Sequence, residues 1–151
     1  MSVAEDQITR TVELAAPVAR VWRALTDHEQ FGQWFQVRLD GRFQVGAVTS
    51  GMVTTPGYEG LPWQVTVRRM EDQRVFAFSW HPYDVDPGVD RSREPTTLVE
   101  FHLESIATGT RLTITESGFS ALPEGRRLEA FHRNGEGWTA QAENIARYVA
   151  G

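Results

Sequence analysis

Residues 20–35 read RVWRALTDHEQFGQWF, and the placing of this stretch decides the fold. It carries Trp22, Phe31, Trp34 and Phe35 in what otherwise reads as two short helices, so the rings serve either as ordinary core or as a wall around something bound. Pro17 opens the first helix, and Val18, Val21, Trp22 and Leu25 follow at i, i+3, i+4 and i+7, the spacing of one apolar stripe. TDHE at 26–29 has the capping-box pattern, with Thr26 set to accept from the third helical N–H and Glu29 to reach back; Phe31, Trp34 and Phe35 then share a face. Gly32 weakens this second helix and predicts that it is short. On the N-terminal side, Ile8, Val12 and Leu14 alternate with polar residues as a half-buried strand, interrupted on the apolar parity by Arg10.

From Gln36 to Thr115 the pattern becomes alternation broken by turn residues, the signature of an antiparallel meander. Asp40-Gly41 is a hairpin signal. Trp63, Val65 and Val67 form one apolar face; Phe76, Phe78 and Trp80 a second; Val99, Phe101 and Leu103 a third; Leu112 and Ile114 a fourth. Between them HPYDVDPGVDRSREP, residues 81–95, is too rich in proline and charge to be an element and reads as an exposed loop. After Pro123 the chain returns to helix, with Leu128 and Phe131 on one face and Trp138, Ala142, Ile145 and Val149 continuing the stripe. Asn134, Gly135 and Gly137 are expected to bend or split it. With no repeat, linker or low-complexity tract, residues 1–151 read as one domain with its core at about 8–149.

A 151-residue chain, 40% hydrophobic and 23% charged, has the composition of a globular domain. It has no cysteine, which excludes disulfides, thiolate nucleophiles and Cys-ligated metals, and no lysine, which excludes Schiff-base chemistry. A net charge of -5 argues against nucleic acid. No run is long enough for a membrane span and the N-terminus lacks a signal-peptide layout, so a cytoplasmic location is expected.

The order strand, two short helices, meander, long helix is an α+β plan, with an antiparallel sheet of about six or seven strands whose apolar face is covered mainly by the C-terminal helix. A sheet curled around that helix leaves space between them, and the two short helices sit near its edge. VWRALTDHEQFGQW, FAFSWHP, TTLVEFHLE, GTRLTITESGF and the GW before a helix ending IARYV, taken in order over about residues 8–149, resemble the START-like helix-grip superfamily (SRPBCC), in the branch named after the activator of the heat-shock-protein-90 ATPase, as its bacterial single-domain type. The resemblance implies a START/Bet v-like helix-grip fold around an apolar cavity, and no particular reaction. The eukaryotic chaperone activators carry a second, N-terminal domain that this chain lacks, a departure that counts against a chaperone partner.

An empty 300 Å3 void would cost roughly 7 kcal/mol at about 24 cal/mol per Å3, so side chains, water or a ligand must occupy such a space. The expected lining is Trp34, Phe76, Phe78, Trp80, Phe101, Ile114, Glu116, Trp138, Ala142 and Ile145, and its rings either pave a pocket for a small hydrophobic or amphipathic molecule or plug it. Glu116 continues the parity of Leu112 and Ile114, and is either a polar anchor or acid/base facing the cavity, or a strand-end carboxylate paired with Arg10 or wetted by solvent. His81, Tyr83, Asp84 and Asp86 open the long loop; they lack a second nitrogen ligand for a metal, and the loop is either a surface turn or a lid. No nucleophile elbow, phosphate loop or paired-histidine motif is present, so no metal or cofactor is expected and the only acid/base candidates are Glu116 and His81. Three functions stay open: a ligand carrier or sensor, a cyclase-like or hydrolytic enzyme, and a chaperone-regulating interaction module.

Overall fold

The computed structural model describes residues 6–82 and 94–150. Strand β1 (Gln7–Leu14) leads into helices α1 (Val18–Thr26) and α2 (His28–Phe35). Strands β2 (Val37–Leu39), β3 (Val48–Val53), β4 (Pro62–Glu71), β5 (Val75–Trp80), β6 (Thr97–Ile106) and β7 (Gly109–Ser117) follow, and helix α3 (Glu124–Ala150) ends the chain. The seven strands form one antiparallel sheet in the order β1-β7-β6-β5-β4-β3-β2, so the first strand closes onto the last and the meander runs outward from there.

Register aligns the apolar parities into rows across the sheet. Arg10, Ile114, Phe101, Phe76 and Met70 are successive partners in one row, and Ile8, Glu116, Val99, Phe78 and Val67 in the next. These rows face α3 and the two short helices, where Phe31, Phe76, Phe78, Phe101, Leu112, Ile114 and Ile145 have no solvent exposure. Burying each such side chain contributes about 1.5–3 kcal/mol, which is why the alternation persists through four adjacent strands.

Three local expectations are corrected. Asp27, not Thr26, caps α2, its carboxylate accepting from the N–H groups of Glu29 and Gln30, while the Thr26 hydroxyl donates to the Trp22 carbonyl one turn back. Asp outcompetes Thr here because an ionised acceptor suits the positive end of the helix dipole. Asp40-Gly41 is not a two-residue hairpin: residues 40–47 join β2 to β3, and the Asp40 N–H reaches the Ser50 carbonyl. Nor does α3 split, since its 27 residues are continuous. A Cβ at Gly135 would stand 3.2 Å from the Arg10 guanidinium, a tight contact with the end of a flexible side chain, so glycine there gives Arg10 room against the helix. Gly32 is the stricter case: a Cβ there would collide with the Val37 carbonyl, so α2 lies against the start of β2 only with glycine at that position.

Candidate functional site

Glu116 is the last inward residue of β7 and has no solvent exposure. Its Oε1 accepts from Trp138 Nε1 at 2.8 Å and from Asn134 Nδ2 at 3.0 Å. Its Oε2 accepts from Trp80 Nε1 at 2.8 Å, Thr97 Oγ1 at 2.5 Å and Asn134 Nδ2 at 3.1 Å. Indole N–H and amide NH2 groups can only donate, so this shell suits an ionised carboxylate, and a buried carboxylate is tolerated only when its lone pairs are filled in this way.

Both structural readings of Glu116, the Arg10 pair and the solvated strand end, are therefore corrected. Arg10 turns to α3 instead, donating through Nε to Thr139 Oγ1 at 2.9 Å, through Nη2 to the Gly135 carbonyl at 3.1 Å and through Nη1 to its neighbour's carbonyl, Thr9, at 2.9 Å. The bare backbone at Gly135 gives the planar guanidinium an acceptor at the helix surface, and Thr139, one turn on, adds the second. Charge attraction alone would have joined Arg10 to Glu116; the docking of α3 decides otherwise.

Around the carboxylate runs a wall of rings. Trp80 stacks on Trp138 at 5.8 Å with 27° between planes, Trp138 meets Phe101 at 5.8 Å, Phe101 meets Phe78 at 5.9 Å and Phe78 meets Trp80 at 5.3 Å. These four are in mutual contact, so the inner part of the wall is packed core, and Phe76 extends it by stacking on Phe101 at 6.0 Å. Ile114 and Ile145 are fully buried, while Ala142 is half-buried beside them on α3. Trp34 is also buried, but its indole donates to the Ala24 carbonyl at 2.7 Å, so its polar end ties α2 to α1.

The outer edge of the wall differs. Phe35, at the C-terminal end of α2, lies 5.5 Å from Trp63, 6.3 Å from Trp80 and 6.1 Å from Trp138, and Trp63 lies 6.0 Å from Trp80. Phe35 and Trp80 are half-buried, so this four-ring cluster reaches the surface between α2, the start of β4 and the middle of α3. The Gln141 side chain donates to the Phe35 carbonyl at 3.1 Å and fixes α2 to α3 beside it.

The list of lining residues drawn from sequence omits Phe35, Trp63, Thr97 and Asn134. Phe35 shares the helical face of Phe31, Trp63 begins the β4 parity and Thr97 the β6 parity, and Asn134 precedes Trp138 by one turn, so each had a weak signal. His81 is half-buried with Nε2 3.0 Å from the Glu94 carbonyl, and the structure does not bring it onto Glu116. Tyr83, Asp84 and Asp86, and with them the lid idea, lie outside the described residues. Among the described residues no group of three or more His, Asp or Glu is arranged to hold a metal, and no helix is long and apolar enough to cross a membrane. An open groove of about 880 Å3 lies between the β1–α1 connection and the β6–β7 hairpin, lined by Ala16, Pro17, Arg74, Leu103 and Ile106. It adjoins Gly109, at the end of β7 opposite Glu116, roughly 23 Å away at about 3.3 Å per residue, so it is separate from the ring cluster.

A seven-stranded antiparallel sheet wrapped on a long C-terminal helix, with two short helices after the first strand, is the helix-grip class. Residues 15–150 match the family described as Activator of Hsp90 ATPase homolog 1-like protein, and the chain belongs to that family. Proteins of this fold commonly bind small hydrophobic ligands. Among solved structures, a Mesorhizobium loti protein is 21% identical over 95% of this chain and 96% of its own, with a TM-score of 0.74. A protein from Arthrobacter aurescens is 19% identical over 99% of this chain and 89% of its own, with a TM-score of 0.78. DynU16, described as a protein of the dynemicin biosynthetic locus, is 28% identical over 96% of this chain and 47% of its own, with a TM-score of 0.74. No curated protein matches the chain.

Proposed function

We propose that the protein binds a small apolar or amphipathic molecule against the outer edge of the aromatic wall, between α2, the sheet and α3. The observation that carries this reading is the cluster of Phe35, Trp63, Trp80 and Trp138, held rigidly by packing and by the Glu116 hydrogen bonds while two of its rings stay half-buried. Large rings left partly wet at the rim of a core are the usual form of a ligand pocket, with the deeper rings as its floor. On this reading Phe76, Phe78, Phe101, Ile114 and Ile145 are that floor, with half-buried Ala142 on the α3 side. The known habit of the fold family supports the class of ligand, and DynU16 places one relative in a biosynthetic locus.

Glu116 serves this reading as a scaffold. Its two oxygens already accept five donor contacts, so it holds the two indoles in place and has little capacity left to take a substrate proton. Carriage or sensing needs only shape and apolar walls, which favours it over the cyclase-like or hydrolytic alternative. Native mass spectrometry of the purified protein mixed with a lipid and metabolite extract tests the proposal. A retained small molecule that is lost on Trp80→Ala substitution is expected; an empty protein in every extract refutes it.

A further inference from the structure

The hydrogen bonds of the wall sort its indoles into two kinds. Trp34 donates to the Ala24 carbonyl, and Trp80 and Trp138 both donate to Glu116. Trp63 is the exception: it is 8% exposed, its ring contacts Phe31, Phe35, Phe78 and Trp80, and its N–H has no protein acceptor among the described residues. A buried indole N–H without an acceptor costs about 1–3 kcal/mol, a penalty avoided only if solvent or a ligand reaches it. The one side-chain nitrogen or oxygen among the described residues that is both sealed from solvent and unpartnered is Arg127 Nε, so Trp63 Nε1 keeps an opening to the outside.

The other donors near the wall are committed. Thr97 and Asn134 donate to Glu116, Gln141 donates to the Phe35 carbonyl, and Arg10 donates to Gly135, Thr139 and Thr9. Among the described residues, a molecule seated on the rings therefore finds one neutral side-chain donor, with a carboxylate set behind the adjoining indole of Trp80. An anionic head would meet a single N–H and a like charge at low dielectric, whereas a carbonyl-type oxygen needs only that one N–H.

On the ligand-binding reading above, we infer that the Trp63 indole N–H is the specificity-determining donor of this site and that its ligand is a neutral, ring-bearing molecule with a carbonyl-type acceptor oxygen. Trp63 supplies both a face for the ring body and the one directional contact that orients it.

Three probes of matched outline test this: 2-acetylnaphthalene, 2-ethylnaphthalene and 2-naphthoate, titrated into 15N-labelled protein while the indole N–H signals are followed. The Trp63 signal is assigned by its loss in Trp63→Phe, which keeps an aromatic ring and removes the donor. The wild-type protein is expected to bind the ketone about fivefold tighter than the hydrocarbon, the factor for one neutral hydrogen bond, and to bind the naphthoate more weakly than the ketone. The Trp63 N–H signal is expected to move with the ketone and stay put with the hydrocarbon. In Trp63→Phe the preference for the ketone disappears while hydrocarbon binding persists; the wild-type indole shift decides the matter even if that variant folds poorly. Equal affinities for ketone and hydrocarbon, an unmoved Trp63 signal, or naphthoate binding as tightly as the ketone would overturn the inference and leave the ligand-binding reading standing. Failure of both ketone and hydrocarbon to bind would overturn the two together.

Discussion

Replacing Glu116 by leucine removes the acceptor on which four side chains converge while keeping an apolar group of similar size. Trp138 and Thr97, at 3% and 1% exposure, cannot reach water from where they stand. Each stranded donor costs about 1–3 kcal/mol, so the pair costs about 4 kcal/mol; Trp80 and Asn134 are half-buried, find solvent and are counted as nothing. Against this stands the gain from relieving a buried charge and burying more hydrocarbon, on the order of 1 kcal/mol for one side chain already inside the core. The net loss is about 3 kcal/mol, or roughly 6–12 °C in Tm for a chain of this length. Glu116→Gln keeps one acceptor oxygen for Trp138 and Asn134, and its amide can donate to the Thr97 hydroxyl, so the contact to half-buried Trp80 and the second contact to half-buried Asn134 are lost, at about 1 kcal/mol. Far-UV circular dichroism on heating and in urea measures both, and avoids tryptophan emission, which the substitutions change directly. A leucine variant that melts within about 2 °C of the parent would show that the donors relax onto other acceptors and that Glu116 does not hold the rings, and a glutamine variant that loses as much as the leucine one would refute the division of the cost between buried and half-buried donors.

Gly32→Ala should cost about 2 kcal/mol or more, because its Cβ meets the Val37 backbone carbonyl, whereas Gly137→Ala, which meets nothing within 4 Å, should gain about 0.5–1 kcal/mol; urea midpoints of the two check the pair. Asp27→Ala should destabilise by about 1 kcal/mol and Thr26→Ala by clearly less, the reverse of what the capping box predicts, again by urea titration. Hydrogen bonds from the Ser120 side chain, and then its backbone, hold the Asp6 carboxyl below the ordinary value for an aspartate. A carboxyl depressed in the folded state contributes stability that is complete above its unfolded pKa and is lost as pH falls through the folded one, so stability should decline as pH drops below about 4. Ser120→Ala should move the Asp6 titration, followed by NMR, back upward.

What was legible in the chain was whatever a single element fixes by itself. The α1 stripe from Val18 to Leu25, the inward parity of Glu116 and the apolar faces of four strands need only the helical and strand periods, and each stands where the sequence places it. What the sequence did not disclose depends on how separate elements meet. Glu116 and Arg10 sit on one face of neighbouring strands and look like partners until α3 arrives with Gly135, Thr139, Asn134 and Trp138 at the right azimuth. Gly32, Gly135 and Gly137 look alike as helix breakers, yet Gly32 alone stands against a backbone carbonyl, Gly135 against the movable end of Arg10, and Gly137 against nothing. The distinction between Trp63 and the indoles of Trp34, Trp80 and Trp138 lies in where N–H bonds point, which no periodicity encodes.

The near-parallel pair of Trp80 and Trp138, 5.8 Å apart with both N–H groups on one carboxylate, has an optical consequence. Two identical chromophores so close share their electronic excitation, and their fixed skew makes the shared transitions respond unequally to left- and right-handed light. The protein thus carries a built-in, label-free gauge of whether the carboxylate still clasps both indoles, to be read in its circular dichroism under anything that loosens or tightens that end of the sheet.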